Sequence, residues 1–271
     1  MGTDVNRIVN GVVDNLRQID NAMNVIINMM TKNELPFDRQ LIDPMIEVSM
    51  TIGLILVVAY WMIGFIKEIT EIDWKHLSMW WYIRKIIQII LGKELVTGSV
   101  DICKAIFQLI NSLVLEYQGA IDIPSMVAQF DAKAFKAEVE ALGFMDRIMF
   151  NAELQTPKLV LMAVAVIIQM LAYYRTLRIG LLQISAPIRL ATAVNGNFSG
   201  VYSFLQDYVG EVGQVLVIVW GMRLYANVVG DMMMNVSQSG TNTFIKLILA
   251  SVMLLAVILG AVPFAKSLIG R

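Results

Sequence analysis

From Val48 to Ile66 the chain runs 19 residues without a charge, and from Leu247 to Ala265 it does so again. Such runs constrain the fold more than any other feature, because about 20 apolar residues are what a helix needs to cross a ~30 Å hydrocarbon core. Inside lipid, every backbone N–H and C=O must be satisfied within the segment, which favours helices over open strands. The rest of the chain agrees: 57% of residues are apolar, 16% are charged, and mean hydropathy is +0.66. A soluble domain has about 45–50% apolar and about 25% charged residues. The expected fold is therefore all-α, a polytopic helical membrane protein.

Three further runs extend the pattern, so that five crossings are expected near 48–66, 95–115, 159–178, 208–230 and 247–265. Lysine and arginine set the orientation. The segments on the Lys67 side hold Lys67, Lys75, Arg84, Lys85, Lys93, Arg175, Arg178, Arg189, Lys266 and Arg271 in the shorter total length. That bias predicts a multi-pass protein of the cytoplasmic membrane, with its N-terminus outside and its C-terminus in the cytoplasm. Trp74, Trp80, Trp81 and Tyr82 mix with Lys75, His76, Arg84 and Lys85 as residues of the headgroup layer do. Ala256 and Gly260 form a small-xxx-small spacing that permits close helix contact. No charged-then-apolar leader opens the chain, so no cleaved signal peptide is expected.

Residues 1–35 read as an amphipathic helix of their own. Val5, Val9, Val12, Leu16, Ile19, Met23, Ile26 and Met30 alternate four and three apart, the spacing of a heptad seam. Such a seam packs on a second copy, on the membrane surface or on the chain's own helices. Leu35-Pro36-Phe37-Asp38 closes the segment as a turn. Residues 36–271 then form the helical membrane domain. Within it, 116–158 is expected as an extracytoplasmic loop, solvated and helical in part, broken at Ile123-Pro124-Ser125.

Polar residues inside the runs are the candidate functional positions. Asp101 and Lys104 stand three apart on one helical face, where they can pair, and an intramembrane pair should face protein or water. The stretch Ser185–Met222 breaks at Pro187, passes through Gly196 and Gly200, and resumes with Glu211, Gln214 and then Arg223. Pro187, Gly196 and Gly200 are read as a hinge spanning about 186–200. Arg189, Gln214 and Arg223, with Asp101 and Lys104, are candidates for lining a passage or for polar packing. Gln214 has the least reason to be there, lying inside a crossing with no charge to anchor it.

Catalytic signatures are absent. The chain has no HExxH, no phosphate-binding Walker loop and no GxSxG elbow. Its one histidine, His76, and one cysteine, Cys103, offer neither a nucleophile–base pair nor a metal set, and no cofactor is expected. Cys103 reads as a buried, inert thiol.

Ala186-Pro187-Ile188, the Gly/Ser hinge after it, Phe204-Leu205, and Gln214 followed by Val215-Leu216-Val217-Ile218-Val219 together resemble one family. It is the TrbL-type polytopic subunit of conjugative type IV secretion systems of Gram-positive mobile elements. In this chain Gln206-Asp207 follow the Phe-Leu pair, where such proteins often have Lys or Arg. The resemblance implies a scaffold or channel subunit that associates into a homo-oligomeric ring. It would work with other secretion subunits, including ATPase and coupling protein, and contact membrane lipid and, transiently, single-stranded DNA carrying its relaxase. Two alternatives come from other classes: a small-solute transporter, for which inverted repeats are expected but not visible, and a non-conducting assembly factor holding partners through the N-terminal seam.

Overall fold

The computed structural model describes residues 2–30, 39–71, 78–120, 125–196, 198–234 and 240–268. His76, Lys75, Trp74, the Leu35–Asp38 turn, Ile123-Pro124, Asn197 and Arg271 lie outside them, as does the side chain of Ile26. Among the described residues there is no strand. The elements are α1 (Gly2–Met30), α2 (Arg39–Glu71), α3 (Met79–Thr97), α4 (Ser99–Ala120), α5 (Met126–Gln129), α6 (Ala132–Ala141), α7 (Phe144–Glu153), α8 (Gln155–Leu190), α9 (Ser199–Met234) and α10 (Gly240–Leu268).

Four helical stretches are long and apolar enough to cross a membrane: Ile42–Glu71, Phe144–Asn195, Ser199–Met232 and Ile245–Leu268. The protein is thus an all-helical membrane protein. The run expected over 95–115 is not among the four. α3 ends at Thr97 and α4 begins at Ser99, so the stretch is divided between two helices at Gly98.

The chain folds as two compact units. The first comprises 1–32, 113–174 and 214–267, the second 33–112, 175–213 and 268–271.

In the first unit α1 buries Val5, Ile8, Val9, Val12, Leu16, Ile19 and Met23, and packs against α5, α6 and α7. The heptad residues are therefore an intramolecular packing face here. The alternative of a seam between copies would require that cover to be removed. The segment 116–158 is correspondingly more than a solvated excursion. Met126, Phe130, Phe135, Val139, Phe150 and Leu154 are buried, and the rings of Phe130, Phe135 and Phe150 run in contact at 5.4 and 6.0 Å. Too short for a core of its own, it shares that of α1. Asp20 of α1 fastens it, accepting from Ser125 Oγ at 2.6 Å and from the Met126 N–H at 2.9 Å, at the start of α5. In the same unit Tyr225 donates to the Ala250 carbonyl at 3.0 Å, linking α9 to α10. Ala256 and Gly260 are exposed, and nothing lies within 4 Å of a Cβ built at Gly260. Among the described residues, no helix therefore closes on Gly260.

In the second unit α2 and α3 close over the 3-10 turn Ala191–Asn195 that follows α8. Glycine makes the approach possible. A Cβ at Gly92 would meet Val194 Cγ2 at 2.0 Å, and one at Gly53 would meet the Pro187 carbonyl oxygen at 2.9 Å. At the far ends of α2 and α3, Lys85 is buried with its Nζ 2.6 Å from Glu68 Oε1. Trp81 Nε1 donates to Glu68 Oε2, and Trp61 Nε1 donates to the Lys85 carbonyl, both at 2.9 Å. The headgroup-type mixture read from the sequence is here partly an internal cluster, although Trp80 and Tyr82 remain exposed.

Candidate functional site

The most polar buried region joins α8 to α9 inside the second unit. Antiparallel helices joined by a short connection present facing residues in reverse order, and here the facing residues are polar. Arg175, 6% exposed, donates from Nε to the Glu211 carbonyl at 3.2 Å and from Nη2 to the Val212 carbonyl at 3.1 Å. One turn on, Arg178 Nε stands 3.1 Å from Glu211 Oε2. That carboxylate oxygen makes no aligned hydrogen bond, so the contact is an ion pair by proximity. Arg178 thus faces the buried Glu211 carboxylate, while Arg175 holds the backbone of the same turn of α9.

The next level down is neutral. Gln183 Nε2 donates to the Tyr208 hydroxyl at 2.9 Å, and that hydroxyl donates to the Cys103 carbonyl at 3.1 Å. Tyr208 has no exposed surface, and its ring stacks on Phe204 at 6.0 Å. Cys103, Phe107, Ile179, Ala186, Leu190 and Val212 complete the apolar packing around this chain of bonds. Buried hydroxyl and amide groups are tolerated when bonded in this way and are costly otherwise. At the open end of the pair, Arg189 Nη1 meets Asp207 Oδ2 at 2.9 Å on a more exposed surface.

The hinge is tighter than the sequence suggests. α8 passes through Pro187 to Leu190 before it tightens into the 3-10 turn, so Pro187 lies inside the helix and does not end it. Proline removes one N–H from the ladder, and Ser49 Oγ of α2 donates to the neighbouring Ile184 carbonyl. The reversal comes at Gly196, whose φ of 71° is the left-handed conformation that glycine adopts at least cost. Gly200 sits in the first turn of α9, where a Cβ would meet Thr192 Oγ1 at 2.4 Å. These contacts make the segment a packed corner.

The other candidates are placed as follows. Gln214 is 2% exposed and its Nε2 has no hydrogen-bond partner among the described residues. Arg223 is exposed and makes no ion pair among them. Asp101 and Lys104 do approach each other, at 3.8 Å, but their side chains are 84% and 56% exposed. Within the chain the pair therefore lies on the surface of α4 and not against its core. An i,i+3 contact is local to one helix face, and α4 turns Cys103 and Phe107, not that face, into the core.

Sequence reading missed Arg175, Gln183 and Tyr208 as partners. Arg175 looked like a membrane-boundary residue, and Tyr208 like part of an apolar run. A usable signal was the placement of Arg175, Arg178 and Gln183 ahead of the turn and of Glu211 behind it, since a helical hairpin brings such residues together. No family model, curated protein or solved structure matches this chain.

Proposed function

We propose that this chain is a scaffold or channel subunit of a conjugative type IV secretion system, of the TrbL type, in the cytoplasmic membrane with its N-terminus outside. The resemblance in Ser185–Met222 is the ground for the family. The observation that carries the reading is that this stretch is the cross-linked corner between α8 and α9. Ala186 and Phe204 have no exposed surface, and Gln214 is buried close to the end of the stretch. A passive anchor has no need of Arg175, Arg178 and Glu211 in its apolar interior, because each charge raises the cost of insertion. A subunit that must hold one geometry under load does.

The same contacts assign these polar residues to fastening. Arg175, Gln183 and Tyr208 spend their donors on one another and on backbone carbonyls, so they are unavailable to a moving solute. A passage for DNA is therefore expected between copies in a ring. The test is an in-frame deletion in the mobile element, scored by conjugation frequency and by imaging of the purified assembly. Transfer should be lost and then restored by the wild-type gene in trans, and the particle should be a ring. Normal transfer in the deletion strain overturns the reading.

A further inference from the structure

We infer that the polar face of α1 is wetted at membrane depth and forms part of the wall of a water-filled passage closed by neighbouring copies. The passage itself rests on the channel reading above. The wetting of α1 rests on the first unit alone.

α1 has two unlike faces. One is the apolar stripe covered by α5, α6 and α7. The opposite one carries Asn10, Asp14, Arg17, Gln18, Asn21 and Asn24, and all of these are exposed except Gln18, which is half-buried. On a helical projection they fall within about a third of the circumference, directly opposite Val12, Leu16 and Met23.

Depth comes from the register of α1 against α8. Leu154 Cδ1 lies 3.3 Å from a Cβ built on Gly11. Further along, a groove of about 270 Å³ is bounded by Gln18, Asn21 and Val25 on one side and by Leu161, Met162 and Gln169 on the other. Both pairings carry nearly the same offset in residue number, so the two helices run side by side in the same direction. The part of α8 alongside Gln18–Val25 belongs to the uncharged run Leu159–Tyr174, which exposes Leu159, Met162, Val166 and Met170. That surface requires hydrocarbon. Gln18, Asn21 and Asn24 consequently stand level with it, and the first two share the groove with Gln169.

Lipid cannot satisfy that face. Unpaired amide groups cost several kcal/mol each in hydrocarbon, and charged groups are excluded unless they face protein or water. Water on α1 and lipid on α8 satisfies both helices at once. Towards the N-terminal end, Asn6, Asn10, Asn151 and Gln155 border a wider groove of about 430 Å³, in keeping with a polar mouth.

The test uses the full-length protein in nanodiscs with single cysteines at Asn21, Asn24, Val166 or Met170. Cys103 is fully buried and stays silent to the reagent. A charged thiol reagent reacts with thiolate in water, so N21C and N24C should label about tenfold or more faster than V166C and M170C. A fluorophore at 166 or 170 should be quenched by lipid brominated on its acyl chains, and one at 21 or 24 should not. Slow labelling with lipid quenching at 21 and 24 overturns the proposal. Equal, fast labelling at all four positions also overturns it, because this part of α8 would then lie outside the bilayer. Neither readout depends on what is transported, so a failure of the conjugation reading would appear only in the deletion strain.

Discussion

A methyl group on Gly53 would stand 2.9 Å from the carbonyl oxygen of Pro187 and 3.0 Å from Val96 Cγ1. The obstacle is backbone, which cannot rotate away as a side chain can. Gly53→Ala gains about 1 kcal/mol of helix propensity. Overpacking a tight contact costs typically ~1–3 kcal/mol, and with Ser49 bonded to Ile184 one turn away the loss should prevail. The expected result is a lower melting temperature for Gly53→Ala in detergent. Gly213→Ala and Gly260→Ala, where a Cβ meets nothing within 4 Å, should be neutral or stabilising.

Glu211→Gln should be far more damaging than its volume suggests. It removes the buried charge that Arg178 faces, and breaking one side of a buried pair costs ~3–5 kcal/mol. Arg178 is partly exposed, so the effective loss should sit toward the lower end. A double-mutant cycle of Arg178→Met with Glu211→Gln, read by thermal melting, should show coupling between the two sites.

Tyr208→Phe keeps the ring on Phe204 but removes the acceptor for Gln183 Nε2. An orphaned buried donor costs about 1–3 kcal/mol. Adding Gln183→Leu should recover most of that loss, because both polar partners are then gone. The comparison of single and double variants in one melting series decides it.

Gln214→Leu has the opposite sign. Its Nε2 is already without a partner, so an apolar side chain of similar size removes a penalty of order 1 kcal/mol. The isolated protein should melt at the same or a higher temperature. A marked fall would mean that Gln214 is satisfied in solution.

Val12→Asp and Ile19→Asp probe the α1 face directly. Both side chains have no exposed surface, and burying an unpaired carboxylate in such a site is among the most destabilising changes a core can receive. Each variant should lose the folded monomer, seen as lost protection of α1 in limited proteolysis. If these residues mainly join copies, the monomer would stay protected and only the assembly would dissociate.

Much of this was legible from residue order. The uncharged runs at 48–66 and 247–265 correspond to α2 and α10 because lipid-crossing helices need length and apolarity, both of which are local properties. Gly98 escaped notice within 95–115, since one glycine barely alters an average hydropathy while deciding where two helices part. The α8–α9 corner was singled out, yet its contents were misjudged. Arg175 was read by its distance from the last apolar residue, whereas its role depends on Glu211 lying across a turn. Asp101 and Lys104 were judged by the company of neighbouring apolar residues, but helix rotation decides exposure, and that is set by packing elsewhere.

The pairing of Arg178 with Glu211 also bears on how the protein enters its membrane. Arg175 and Arg178 would each cost about 2.5–3.5 kcal/mol on an isolated helix at the bilayer centre, and Glu211 would add its own charge on α9. Released one at a time from the translocation machinery, α8 and α9 would each carry an unpaired charge toward the acyl chains. Released together around the short corner at Gly196, they carry a neutralised pair with its carbonyl bonds already made. Biogenesis should therefore proceed by retention of α8 at the insertion site until α9 has been synthesised.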